Sequence, residues 1–303
     1  MVVACLCRIN NANCRCSIFN NYGKSYKKFR IMKPDDFTIF ANISLISWGL
    51  SGIIMSILFF REVFADKKHK FWVIVAHFLA ISGLISIIIF VVELWLLLDR
   101  PPMRTLGETR LWYSIFLVLV SYLVYLKWKY KALFVSGIMF GVLFLLINML
   151  HPEALNKNLP PALQSAWFIP HVVVYMIAYA LLGMSWLVAI FGLLPYFRKQ
   201  WKGRETVIAD NLVYIGFGFL TLGLVFGALW AKEAWGNYWT WDPKETWAMI
   251  TWFAYMLYIH YRFRHNKNKI TALLILFFAF ILLIICWLGM QYLSVGANSV
   301  HTY

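Results

Sequence analysis

The sequence predicts an all-α, polytopic integral membrane protein of about eight transmembrane helices, and three observations carry that expectation. Of its 303 residues, 62% are hydrophobic and only 14% charged, against about 45–50% and about 25% in soluble domains. The apolar residues gather in runs close to the roughly 20 residues that a helix needs to cross a bilayer core about 30 Å thick. The basic residues stand in short clusters between those runs, where they anchor and orient helices in the lipid bilayer rather than grip nucleic acid.

Residues 1–31 form a basic tail rich in Cys and Asn. Its Cys5, Cys7, Cys14 and Cys16 have no second half of a zinc site downstream, and it lacks the apolar core of a signal peptide. Two helices follow within residues 32–98, over 39–60 and 71–98. Residues 99–303 hold six more, over 111–126, 132–150, 172–197, 211–230, 247–261 and 270–290, the seventh span being short and rich in Trp and Tyr. Eight spans place both termini on one side. Loops 61–70, 127–131, 198–210 and 262–269 carry 15 Lys and Arg, and the opposite side carries 13, of which six precede Met32. The positive-inside rule therefore turns loops 99–110, 151–171, 231–246 and the C-terminal tail outward; a biological start at Met32 is the favoured expectation, with a genuine basic extension as the alternative.

The loop from Trp230 to Trp247 reads WAKEAWGNYWTWDPKETW, with five tryptophans in 18 residues. An interfacial aromatic belt needs one or two per helix end, so a membrane-interface loop is the blander reading. The sharper one is a flat platform for a large planar ligand, built from Trp235, Tyr238, Trp239, Trp241 and Trp247. Gly236 lets the backbone approach closely, Asp242 and Pro243 open the next helix, and Lys244 and Glu245 contact polar substituents or each other.

This loop resembles the tryptophan-rich WWD signature of haem-handling proteins in cytochrome c biogenesis. The stretch RPPMRTLGETRLWYS (100–114) and the ending GANSVHTY (296–303) resemble one branch, the CcsA (ResC) family. The first departs from the family at 106–109, where a string like Asn-Leu-Tyr-Glu-Ser is commoner, which leaves the role of Glu108 to be found. The resemblance implies cytochrome c maturation by system II in a bacterial cytoplasmic (inner) membrane. The chain would be part of a haem lyase complex with a CcsB (ResB) partner. Haem b, bound non-covalently as substrate, would be exported and presented at the external tryptophan site for attachment to the CxxCH of an apocytochrome c. This chain has no CxxCH of its own.

Imidazole is the commonest axial ligand of haem iron. His171 and His301 match the two outward histidines that flank the WWD loop in the family and ligate haem. His260 matches the family's transmembrane histidine, which takes haem before it reaches the outer site. His77, also inside a span, is expected to be a packed, hydrogen-bonded core residue. His151, His69 and His265 read as loop histidines. Two other classes compete: a transporter of another substrate with an aromatic external gate, and a cytochrome b-like carrier pairing His77 with His260.

Overall fold

The computed structural model describes residues 2–5, 16–19, 34–65, 70–151, 165–194, 199, 204–264 and 268–289. They form eight helices: α1 (Pro34–Ala65), α2 (Lys70–Leu98), α3 (Leu106–Trp128), α4 (Lys131–Leu150), α5 (Phe168–Leu193), α6 (Glu205–Trp235), α7 (Pro243–Arg264) and α8 (Lys269–Trp287). The remaining regular structure is a two-stranded antiparallel ribbon in the tail, β1 (Val2–Cys5) and β2 (Cys16–Phe19), with Cys5 opposite Cys16.

Among the described residues, seven helices are long and apolar enough to cross a membrane. The eighth, α7, falls short in hydropathy because it turns Thr251, Tyr255, Tyr258 and Arg262 inward on one face, at helical spacing, against protein rather than lipid. Its 22 residues still measure about 33 Å, enough for the hydrocarbon core. The molecule is a polytopic membrane protein of about eight helices.

Helix ends follow local chemistry. Thr105 and Glu108 make a reciprocal capping box at the start of α3. Helix α4 stops at His151, which precedes Pro152, because the residue before proline leaves the helical region. Pro170 lies in the first turn of α5, where a missing N–H breaks no bond.

The helices pack around two cores. One joins α1 and α2 to one side of α3 and α4, with small residues in the seam: a Cβ at Gly83 would stand 2.5 Å from the Trp48 ring, and Trp48 donates to the Ala80 carbonyl. The larger core joins α3 to α5, α6, α7 and α8. At one end of the bundle lie the starts of α3, α5 and α7 and the ends of α6 and α8. We call it the tryptophan end, and the opposite one the basic end.

Candidate functional site

The tryptophan loop is built by its own backbone chemistry. Trp235 ends α6, and Gly236, at φ 85°, caps it with an N–H bond to the Lys232 carbonyl. Asp242 then caps α7: its Oδ1 accepts from the Glu245 N–H at 2.8 Å, and Pro243 takes the first helical position. The Glu245 carboxylate reaches back to accept from the N–H of Thr240 (2.7 Å) and of Asp242 (3.3 Å). Those two amides flank Trp241, which lies in left-handed backbone at φ 60° and exposes 67% of its surface. Glu245 thus holds the loop. Lys244 is half-buried against Cys286, whose thiol approaches the Lys244 carbonyl at 3.9 Å.

The aromatic residues split into a buried base and an exposed ledge. Trp230 is buried, with Trp235 edge-on to it at 4.8 Å and Phe168 at 5.0 Å. Trp239 and Trp241 meet edge to face at 5.7 Å, and the Trp239 indole N–H is buried with no hydrogen-bond partner among the described residues. Tyr238 is exposed, with the Lys232 ammonium 5.4 Å from its ring. Trp247 lies half-buried in the first turns of α7.

His171 sits in the first turn of α5 beside this base. Its ring is 5.4 Å from Trp230 and 4.7 Å from Tyr175, and its Nδ1 lies 2.9 Å from the Gly223 carbonyl of α6. A carbonyl only accepts, so Nδ1 carries the proton and Nε2 the lone pair, the arrangement in which histidine ligates a metal. His301 lies outside the described residues, as do His69 and His265. His151 is exposed at the end of α4.

His260 lies near the basic end of α7, on an exposed stripe with Ile250, Phe253 and Leu257. Its Nδ1 bonds the Met256 carbonyl at 2.9 Å, again leaving the lone pair on Nε2. His77 packs among Tyr122, Tyr125 and Phe134 of α3 and α4. It is packed as expected, but its buried Nδ1 has no hydrogen-bond partner among the described residues. The two membrane histidines thus face different surroundings, one ringed by α3 and α4 and the other on the open side of α7.

The family model described as "Cytochrome C assembly protein" matches residues 103–297. The chain belongs to the cytochrome c assembly family. Its role lies in cytochrome c biogenesis. A curated relative, the "Cytochrome c biogenesis protein CcsA" of Guillardia theta, is 30% identical over 85% of this chain and 91% of its own length. The same protein of Oenothera argillicola is 28% identical over 86% and 95%. Among solved structures, "Cytochrome c Heme Lyase CcmF" shares the fold with a TM-score of 0.62 at 16% identity, over 86% of this chain. This chain spans 48% of that protein's length.

Three groups in this family member escaped the reading of its sequence. Glu108, completely buried, takes the Arg100 guanidinium at 2.8 and 3.0 Å and the backbone N–H of Arg104 and Thr105, so it clamps the 99–105 loop over α3. Burial, with the nearby Arg100 charge, pulls the Arg104 guanidinium below its usual range, while Glu108 opposes the shift. Beneath His171, Tyr175 and Tyr179 continue the same face of α5 and lead to Trp287 and Tyr113; their i, i+4, i+8 spacing from His171 was the available signal.

At the basic end, Asp210 of α6 accepts from the Tyr258 hydroxyl and, through both oxygens, from the Arg262 guanidinium of α7. Arg262→Ala leaves that carboxylate short of its charge partner at a site only 15% exposed. It is expected to destabilise the protein by about 3 kcal/mol, read as a lower unfolding temperature in detergent. An unchanged transition would show that the pair contributes nothing.

Proposed function

We propose that this chain receives haem near the basic end, holds it at the tryptophan end, and presents it there to an apocytochrome c. The observation that carries this reading is the placement of His171. Its Nδ1 is engaged by a backbone carbonyl and its ring leans on Trp230, at the root of a loop that exposes Trp241 and Tyr238. A histidine prepared to ligate iron beside a ledge of flat aromatic rings suits a metalloporphyrin. The residues present therefore fit haem as a substrate.

In this reading His171 and His301 give the iron its two axial nitrogens. Trp235, Tyr238, Trp239, Trp241 and Trp247 lie against the porphyrin, with the Trp239 N–H, unpartnered among the described residues, ready to meet a polar group on it. Asp242 and Glu245 hold the loop, and Lys244 stands at its base. Haem offers two vinyl groups to the paired thiols of a CxxCH. Adding each S–H across a vinyl C=C forms one S–C bond and places the hydrogen on the neighbouring carbon, with no net oxidation. The protein's work is to position the reactants and control the iron's coordination. Haem b would be the form handled, His260 would take it up with a ligand from a CcsB-like partner, and the tryptophan end would face the translocated side. In a bacterial cytoplasmic membrane that is the outer face.

The test is an absorbance spectrum of the purified chain, which should show a Soret band. Trp239→Ala and Trp241→Ala should each weaken it without loss of protein from the membrane, since each removes apolar contact of about 2–3 kcal/mol. No Soret band under any condition would leave the loop as the gate of a transporter for another substrate.

A further inference from the structure

On α6, Gly223 and Gly227 stand one turn apart on the face turned to α5. In a helix the side chain at i+4 leans back over the carbonyl of residue i. Gly227 has none, so the Gly223 carbonyl is open to the side, and that is where His171 Nδ1 lies, at 2.9 Å. A Cβ built on Gly227 would stand 2.7 Å from Cε1 of His171 and 2.9 Å from Nδ1. Those are atoms of a rigid ring, and the ring is bracketed by Tyr175 at 4.7 Å and Trp230 at 5.4 Å, so it has little room to yield. A Cβ on Gly223 would meet the Tyr175 ring at 2.9 Å.

The geometry points to Gly227 and Gly223 as positioning residues for His171: together they make a seat on α6 whose open carbonyl fixes the imidazole as its Nδ1–H tautomer and sets the direction of Nε2. The inference rests on the proposed ligation of iron by His171. A hydrogen bond from the second ring nitrogen to a carbonyl raises the basicity of the ligating one and fixes ring orientation. Bulk at Gly227 pushes the ring off that carbonyl while leaving the His171 side chain chemically unaltered.

Gly216 supplies the control. It lies two turns before Gly223 on the same face, and a Cβ there would stand 2.9 Å from Leu182. Gly216→Ala therefore repeats the steric insult between α5 and α6 away from His171. We expect Gly227→Ala to lower haem bound per membrane-inserted protein by about tenfold, the lower bound for losing an outer-shell partner of a metal ligand. The remaining haem should show a displaced Soret maximum that returns toward wild type with added imidazole. Gly216→Ala should keep its haem within about twofold at equal abundance. If Gly227→Ala poorly accumulates, Gly223→Ala tests the seat through its Tyr175 wall, with the same direction of change. Equal loss in the Gly216 and Gly227 variants, or a wild-type spectrum in the latter, overturns the seat.

The haem-free protein separates this inference from the ligand assignment. With 15N-labelled histidine, the His171 signal, identified by its absence in His171→Gly, should report a single Nδ1–H tautomer that becomes mixed in Gly227→Ala. A tautomer indifferent to Gly227 overturns the seat even where His171 proves to be a ligand. Haem binding indifferent to His171→Gly overturns the ligand assignment instead.

Discussion

His171→Gly is expected to lower haem retention by more than about 100-fold, since loss of a ligand exceeds the 10–100-fold cost of losing its outer-shell partner. His301→Gly should act in the same direction, as the proposed second ligand. In both variants cytochrome c maturation falls together with haem content, and added imidazole partly restores it by filling the vacant coordination position. The rescue distinguishes a missing ligand from a misfolded loop, because free imidazole cannot repair packing against Trp230 or Tyr175. Full haem content in the double variant, with the His260 site also removed, would falsify the assignment.

The second large effect is at a distance. His260→Ala should reduce haem at the tryptophan end to about a tenth or less, a shift of at least about 1.4 kcal/mol in loading, although every residue of that end is intact. The reason is order: in the proposed function, uptake precedes presentation. An imidazole on the exposed stripe of α7 is costly in lipid and gains from a bound metal or a partner chain. His77, enclosed by Tyr122, Tyr125 and Phe134, should lose only packing on substitution by alanine. Equal depletion by the two variants with no partner chain present would mean an intramolecular His77–His260 pair and sink the partner-ligand model.

Much of the architecture was legible because its signals are local. Apolar run length predicted all eight helices, seven of them apolar enough to cross a membrane by composition, and the Asp-Pro-Lys-Glu string announced the start of α7 through N-cap and proline chemistry. Hydropathy under-represents α7 because Tyr258 and Arg262 satisfy their polar groups on Asp210 of α6, and Thr251 and Tyr255 are buried beside them rather than in lipid. The strand ribbon in the tail had no period-two pattern long enough to read. At the site, His171 and the loop stood out by residue type, whereas the partner of the imidazole did not. A backbone carbonyl has no sequence signature. Only the Gly-x-x-x-Gly spacing at 223–227 hinted that α5 and α6 would come close enough for one to matter. Glu108 looked like a departure from the family and proves to be a clamp, because its partners, Arg100 and the amides before α3, precede it by three to eight residues.

Glu245 has a kinetic corollary. Its carboxylate grips the amides on both sides of Trp241 and keeps that residue in left-handed backbone, a conformation that costs a non-glycine residue about 1–2 kcal/mol. The cost is met inside the protein, before any guest arrives, so a flat ligand need not spend affinity on ordering the ledge. The same rigidity removes an escape route. In the proposed function, a bound haem would then not leave by melting the surface beneath it, and its residence time would be governed by exchange at the metal. The acceptor's own histidine, arriving as a competing base, would then be the trigger for release.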